Sequence, residues 1–306
     1  MKLSINIAAV LAALAANAFD SADWLGQREL LDREAERLCG AYAKYRSLAK
    51  DPAESIVVPV ESHSDGSIKT SIGAKRAQFF INDGFIWGEG VAVRQLGRDG
   101  SVEMMLDADD CVVDRSTRSG WVEDHAHAEF RNDAVLDGDR VYFSAIEEYL
   151  KIYTNTVLRA DGKELRSIRA DYDHKNGVAM FDGDVEFIGS EGKNNYVLKA
   201  SQAFVFMSGT NELKRVVALG GVSITDGKRR EGTCDRAVFT RRDSKIVMFG
   251  DGDGTPARLV DDSKRRSEVE GARITFWIDS EHVEVVDSKI TLDTKGVKLP
   301  KGAKGL

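Results

Sequence analysis

Two histidines have the spacing in this sequence best suited to chemistry. His125-Ala126-His127 puts both imidazoles on one side of an extended strand, and Glu123 and Glu129 share their parity. A His/His/Glu set of that kind is what a metal-binding jellyroll uses, so a secreted metal-binding enzyme built on His125 and His127 is one reading. No distant third ligand is marked, and exposed histidines on a polar strand face are the competing one. Asp251-Gly252-Asp253-Gly254 resembles the start of a calcium loop but lacks the spaced third carboxylate and closing glutamate, and reads as a tight turn. Asp107, Asp109 and Asp110 could pair as acid and base, yet no pattern buries any of them. The basic runs Lys228-Arg229-Arg230 and Lys264-Arg265-Arg266 could meet lipid phosphates or simply be solvated loops. No nucleophile-elbow, phosphate-loop or dinucleotide motif occurs, so neither catalysis nor a cofactor is expected.

The elements that must hold these residues are mostly strands. The chain has 306 residues with 28 Gly and only 4 Pro, and such scarcity of proline suits long ladders that need every N–H. Its 43 basic and 50 acidic residues give a net charge of -7, which removes the usual signature of a nucleic-acid partner. Length and composition exclude a disordered chain and a disulfide-stapled miniprotein.

The chain starts MKLSINIAAVLAALAANAFDSAD. Lys2, the apolar stretch Ile5 to Leu14 and the small-x-small site Ala16-Asn17-Ala18 read as a signal peptide over 1–18, which predicts export. An uncleaved segment anchored in the inner membrane is the alternative. Export would place Cys39, Cys111 and Cys234 where disulfides persist, and three cysteines allow one bridge at most. Cys111 and Cys234 occupy comparable places in two similar segments and are the expected pair if a bridge forms. The other reading makes all three small core residues.

One helix is predicted, over 26–50. Leu31, Ala35, Leu38, Tyr42 and Tyr45 form a single apolar stripe, and Arg28, Glu29, Arg33, Glu34, Glu36 and Arg37 fill the opposite side. Asp51-Pro52 ends it. Such an amphipathic helix either binds a partner or caps the end of the β structure.

From Ile56 onward alternation replaces helical period. Ala77, Phe79 and Ile81 fall on one strand face before an Asn82-Asp83-Gly84 turn, and further bends are expected at Arg118-Ser119-Gly120 and Lys175-Asn176-Gly177. Three exits share a Gly-x-Val form, at Gly88-Glu89-Gly90-Val91, Gly183-Asp184-Val185 and Gly220-Gly221-Val222. The small residues Ala74, Ala108, Ala170, Ala200, Gly232 and Gly271 mark a degenerate repeat of roughly 30 to 39 residues, the signature of stacked supersecondary units. Seven hairpins divided between two facing sheets predict an all-β, elongated, twisted jellyroll of repeated hairpins, roughly 30 to 35 Å long, preceded by the helix.

Its interior faces follow from parity. Ala179, Phe181, Gly183, Val185 and Phe187 share one face; Val216, Ala218, Gly220, Val222 and Ile224 another; Ala272, Ile274, Phe276 and Ile278 a third. Small residues so mixed with large ones must be answered by bulk opposite, or else leave an apolar groove. Both readings stand at this level.

The segment IRADYDHKNGVAMFDGDVEFIG, followed by Lys199-Ala200-Ser201-Gln202-Ala203 and VVALGGVSITD, resembles the OstA-type lipopolysaccharide-export proteins of the LptA/LptC kind. The resemblance is best over about 165–290. It divides the chain into an LptC-like β half over 56–160, an OstA/LptA-like half over 161–295 and a polar tail over 296–306. It implies a twisted open roll (a β-taco) in the periplasm that carries the acyl chains of lipopolysaccharide from inner to outer membrane. The groove candidates are then Phe79, Ile81, Ala179, Phe181, Val185, Phe187, Val216, Val222, Ile224, Ile274, Phe276 and Ile278. The implied partners are lipopolysaccharide, the inner-membrane export transporter, the outer-membrane translocon and further copies joined end to end. The chain is much longer than a single bridge domain, so one bridge, a fusion of two and an adaptor all remain open. A scaffold that assembles through sheet edges without lipid is the third reading.

Overall fold

The computed structural model describes residues 21–131, 133–160, 162–191, 194–207, 213–226, 230–252, 254–262, 267–277, 282–287 and 289–292. The expected signal peptide, the polar tail, Ile278, Asp253, Lys228, Arg229 and the Lys264-Arg265-Arg266 run lie outside the described residues.

Helix α1 spans Ser21–Leu48, starting five residues earlier than the stripe predicted. The strands that follow are β1 Ala53–Ser62, β2 Ile68–Phe80, β3 Phe85–Leu96, β4 Val102–Asp114, β5 Ser119–Glu123, β6 Ala126–Phe130 and β7 Val135–Ser144. Next come β8 Tyr149–Ala160, β9 Lys163–Ser167, β10 Arg169–Asp173, β11 Val178–Glu191, β12 Asn194–Met207, β13 Leu213–Asp226 and β14 Arg230–Thr240. The last are β15 Lys245–Phe249, β16 Ala257–Asp261, β17 Ser267–Gly271, β18 Arg273–Trp277, β19 Val283–Val286 and β20 Lys289–Leu292.

All pairings are antiparallel, and the order is a meander with a crease. β5 and β6 both pair with β4 and with β7, because they are one pass interrupted at Asp124-His125. The pairs β9/β10, β15/β16, β17/β18 and β19/β20 are broken in the same way. Among the described residues the twenty segments therefore make fifteen passes, and each pass crosses the crease from one wall to the other. The two walls belong to one bent sheet. The sequence reading gave alternate hairpin strands to two separate sheets. With every pass contributing to both walls, the body runs roughly 65 to 70 Å at ~4.8 Å per pass, about twice the length expected.

Local backbone chemistry makes the crease. Left-handed φ values recur along it at Gly90, Asp124, His125, Arg140, Asn155, Gly183, Asp184, Gly220, Gly221 and Asp287. The ladder registers shift at Asp182/Val185, Lys199/Gln202 and Leu219/Val222, so each corner is a bulge that turns the strand. The Gly-x-Val exits are these corners. Gly183 and Gly220, expected on interior faces, instead supply φ values of 80° and 76°, which a side chain would resist.

The hairpin turns at Ile81–Gly84 and His174–Gly177 fall where expected, whereas the bend placed at Arg118–Gly120 comes earlier, at Arg115–Arg118. On either side of the expected division at 160/161, β8 pairs with both β9 and β10.

Helix α1 does not cap an end of the roll. It lies across the outer face of one wall, burying Leu31, Ala35, Leu38, Tyr42 and Tyr45 against Trp87, Val112, Trp121, Tyr142 and Tyr149. Carboxylates of the sheet pin its polar flank. Asp171 takes Arg28 at 2.5 Å, Asp114 takes Arg37 at 2.6 Å and Asp83 takes the Tyr45 hydroxyl at 2.8 Å. Among the described residues β1 pairs only with β2, and β19 and β20 only with β18 and β17, so both ends of the sheet carry free edges.

Candidate functional site

The space between the walls is filled by alternate residues of every pass. Near α1 it holds Ile72, Val91, Val93, Leu106, Cys111, Val113, Val122, Leu136, Val141, Phe143 and Ile152. Further along, Ala179, Phe181, Val185 and Val216 form one interior cluster, and Val222, Ile224, Ile274 and Phe276 the next, with Phe187 touching both. Phe79 and Ile81 depart from this pattern. Phe79 stands opposite Ile86 but is 38% exposed at the strand's end, and Ile81 is 80% exposed. The strand stops at Phe80, one residue before Ile81, so Ile81 belongs to the turn and takes no strand parity.

Interior glycines are covered by large neighbours. A Cβ on Gly120 would come within 2.5 Å of the Phe143 ring, one on Gly138 within 2.3 Å of Ile152, and one on Gly189 within 2.4 Å of Tyr196. Each of these contacts is made by a neighbouring strand of the same wall, so bulk on one strand answers the missing side chain on the next.

They part at the open side, opposite the crease. A cavity of about 450 Å³ lies there, within the size range of small-ligand sites. One wall gives it Thr70, Val93, Gln95, Met104 and Phe130; the other gives Phe143, Glu148, Leu150, Tyr172 and His174. Its floor is apolar and its rim polar. A narrow apolar cleft of about 50 Å³ continues along the roll beneath Leu136, Leu158, Ala179, Phe181 and Val205, sharing Phe130 and Tyr172 with the cavity. Phe130 and Tyr172 meet edge to face across the mouth, ring centroids 5.7 Å apart. Burial pushes the Tyr172 phenol well above its ordinary range, so it stays protonated and can donate.

Sequence reasoning missed this cavity. Its groove candidates were Phe79, Ile81 and positions between 179 and 278, and none of them lines this cavity. An aromatic near the end of each pass, such as Phe130 or Phe143, was the available signal.

The other candidates resolve differently. His125 and His127 do not converge on one point. His125 sits at the crease, 82% exposed, with Nδ1 2.9 Å from Asp109, while His127 lies between Asp137 at 2.6 Å and Glu129 at 3.2 Å. Those hydrogen bonds, chiefly the ones that Asp109 and Asp137 accept, raise both imidazoles above their ordinary range. Glu123, the expected co-ligand, binds Arg140 and the Trp121 indole instead. No group of three metal-ligating side chains occurs among the described residues. Asp110 meets the Tyr42 hydroxyl and Arg46, and Asp109 meets His125, so the acid pair divides between two faces. Arg230 pairs with Asp226 at 2.5 Å.

Cys39, Cys111 and Cys234 are free thiols. Cys111 belongs to the first interior cluster, whereas Cys234 packs against the cluster of Val222 and Ile274. Their equivalence in the repeat is what keeps them apart, because a repeat translates a position along the ladder. Burial pushes both thiols up to about 12, as for inert core cysteines.

Comparison with known proteins bears on the second half of the chain. Residues 164–282 match the family described as LptA/(LptD N-terminal domain) LPS transport protein. No curated protein matches the chain. Eleven chains of solved structures do. One is the crystal structure of LptH, the LptA homologous periplasmic component of the conserved lipopolysaccharide transport device from Pseudomonas aeruginosa. It is 14% identical, covers 45% of this chain and 89% of that one, and has a TM-score of 0.34.

Proposed function

We propose that this protein takes part in lipopolysaccharide transport as a periplasmic bridge or adaptor, and that it holds acyl chains between its two walls. The observation that carries this reading is the family match over 164–282, which covers the passes whose interior faces are Ala179, Phe181, Val185, Val216, Val222, Ile274 and Phe276. The physical need is plain. At ~0.8 kcal/mol per methylene, a 12-carbon chain crossing water alone costs on the order of 10 kcal/mol. An apolar interior with an open side removes that barrier while the glycan and phosphates stay in water. The work is binding and release, so it requires no bond chemistry.

The free edges at β1 and at β19–β20 suit strand addition by a neighbour, whether the inner-membrane transporter, the outer-membrane translocon or another copy. The deciding experiment places photo-crosslinkers at Phe181, Val222 and Phe276 in cells. Capture of lipopolysaccharide at these positions and not at exposed Val57 supports the reading. Folded protein that never captures it overturns the reading.

A further inference from the structure

The cavity at the open side is bridged by contacts between the walls. Lys69, at the start of β2 on one wall, reaches Glu148, in the β7–β8 turn of the other, at 2.9 Å. The two are 79 residues apart in sequence, and both are mostly buried. Glu61 on β1 stands behind Lys69 at 3.4 Å and holds its charge at the rim. Glu148 is itself constrained. Its φ is 51°, and its carbonyl accepts the His174 N–H at 3.0 Å, which ties the turn to the end of β10. At the other side of the same opening stands the Phe130–Tyr172 ring contact, also from wall to wall. Thr70, Glu148, Phe130, Tyr172 and His174 all line the cavity, so every one of these contacts borders the space they bridge.

An ordinary core does not need this arrangement. Val93, Leu106, Val122 and Ile152 already hold the walls together beneath it. A charged pair and a ring contact at the lip instead give a closure that opens without disturbing the core, since neither involves a ladder hydrogen bond. We propose that Lys69–Glu148 and Phe130–Tyr172 form a latch through which a single acyl chain enters the roll sideways, between the walls. This rests on the functional reading above and adds the route of entry. The ligand class is a straight hydrocarbon chain with an anionic or polar head. The chain lies on Val93, Met104, Phe143 and Leu150, and the head stays at the rim with Thr70, Gln95 and His174.

A latch acts on rate. If the mouth must open first, the association rate is scaled by the open fraction, and removing the latch raises it. The test uses the full chain and cis-parinaric acid, a fluorescent 18-carbon fatty acid, in stopped-flow mixing. Lys69→Met and Glu148→Gln should each speed association and dissociation about fivefold, the scale of one partly buried ion pair. The exchange Lys69→Glu with Glu148→Lys should return both rates toward the original. Met104→Trp and Gln95→Trp, which fill the cavity without touching the latch, should abolish binding while leaving thermal unfolding cooperative.

Unchanged rates in both latch variants overturn the latch and leave the transport reading intact. Undiminished binding in both tryptophan variants overturns the cavity as the site. An unmodified chain that binds no parinaric acid, and captures no lipopolysaccharide at Phe181, overturns the functional reading and the latch with it.

Discussion

Arg28 of the helix and Asp171 of β10 meet at 2.5 Å across the helix–sheet interface, and the same carboxylate accepts the Tyr149 hydroxyl at 2.5 Å. Lys151 stands 3.6 Å away and also binds Asp32 of the helix. Asp171 is 3% exposed, so it is a buried anion stabilised by two cations and a phenol. Tyr149 and Asp171 also border the mouth cavity and its apolar cleft respectively. The helix is thereby fixed to the wall that forms one lip of the mouth.

Removing Asp171 leaves those groups buried and uncompensated. Asp171→Ala should cost about 3 to 5 kcal/mol, the range for breaking a buried pair from one side. Arg28→Ala should cost less, since Lys151 and Tyr149 still serve the carboxylate. Urea unfolding of both variants gives the two values. Equal losses would show that the pair acts alone.

The pH dependence of helix docking follows from Arg37. It binds Glu34 through two hydrogen bonds and Asp114 through a third. The Arg37 hydrogen bond lowers Glu34 despite its partial burial. Burial would raise Asp114, but hydrogen bonds from Ser116 and Arg37 outweigh it and lower the group overall. Carboxylates depressed in the folded state contribute stability above the ordinary carboxylate range of about 4, and lose it as pH falls through their lower folded values. Acidification below about 4 should therefore release α1 before the roll unfolds. Hydrogen exchange of the α1 amides at pH 7 and pH 3 measures this, and Arg37→Ala should flatten the difference.

How much of this was legible in the sequence depends on the range of the signal. The helix stripe Leu31–Tyr45 was legible because five residues at helical spacing need only one apolar surface. The hairpins and interior parity of Phe181, Val222 and Phe276 were legible because alternation and turn residues are local. The crease was not. Gly183 and Gly220 fit a strand pattern by parity, and only their backbone angles mark them as corners. Missing the corners halved the length of the body and hid the wall-to-wall pairs. Lys69 and Glu148 carry no shared local pattern, and only the folding of one wall onto the other brings them together.

The histidines give a prediction with a definite sign. His127 is raised chiefly by its hydrogen bond to Asp137, so its protonated form is favoured in the folded state. Any stability it adds is present below the ordinary imidazole value of about 6.5 and is lost as pH rises through the higher folded value. Proton NMR should show His125 and His127 titrating above 6.5, the ordinary value. Stoichiometric Zn²⁺ should shift neither resonance set, because their partners lie on separate strands and no third ligand joins them. Tight zinc binding lost in His125→Ala/His127→Ala would restore the metal reading.

Interior glycines test how tightly neighbouring strands pack within a wall. Gly120 lies beneath Phe143, and its added Cβ would fall 2.5 Å from the ring and 3.0 Å from the Val112 carbonyl oxygen. The ring has the cavity that it lines to swing into, while the carbonyl belongs to the ladder and cannot give. Gly120→Ala should destabilise the fold by about 1 to 3 kcal/mol, as overpacking does, and push Phe143 into the cavity. Gly138→Ala, blocked by Ile152 at 2.3 Å, should cost a similar amount without touching the cavity. The two substitutions therefore separate stability from capacity. Both lower the denaturation midpoint, but only Gly120→Ala weakens parinaric acid binding. If both weaken binding equally, the cavity is not the place where the chain is held.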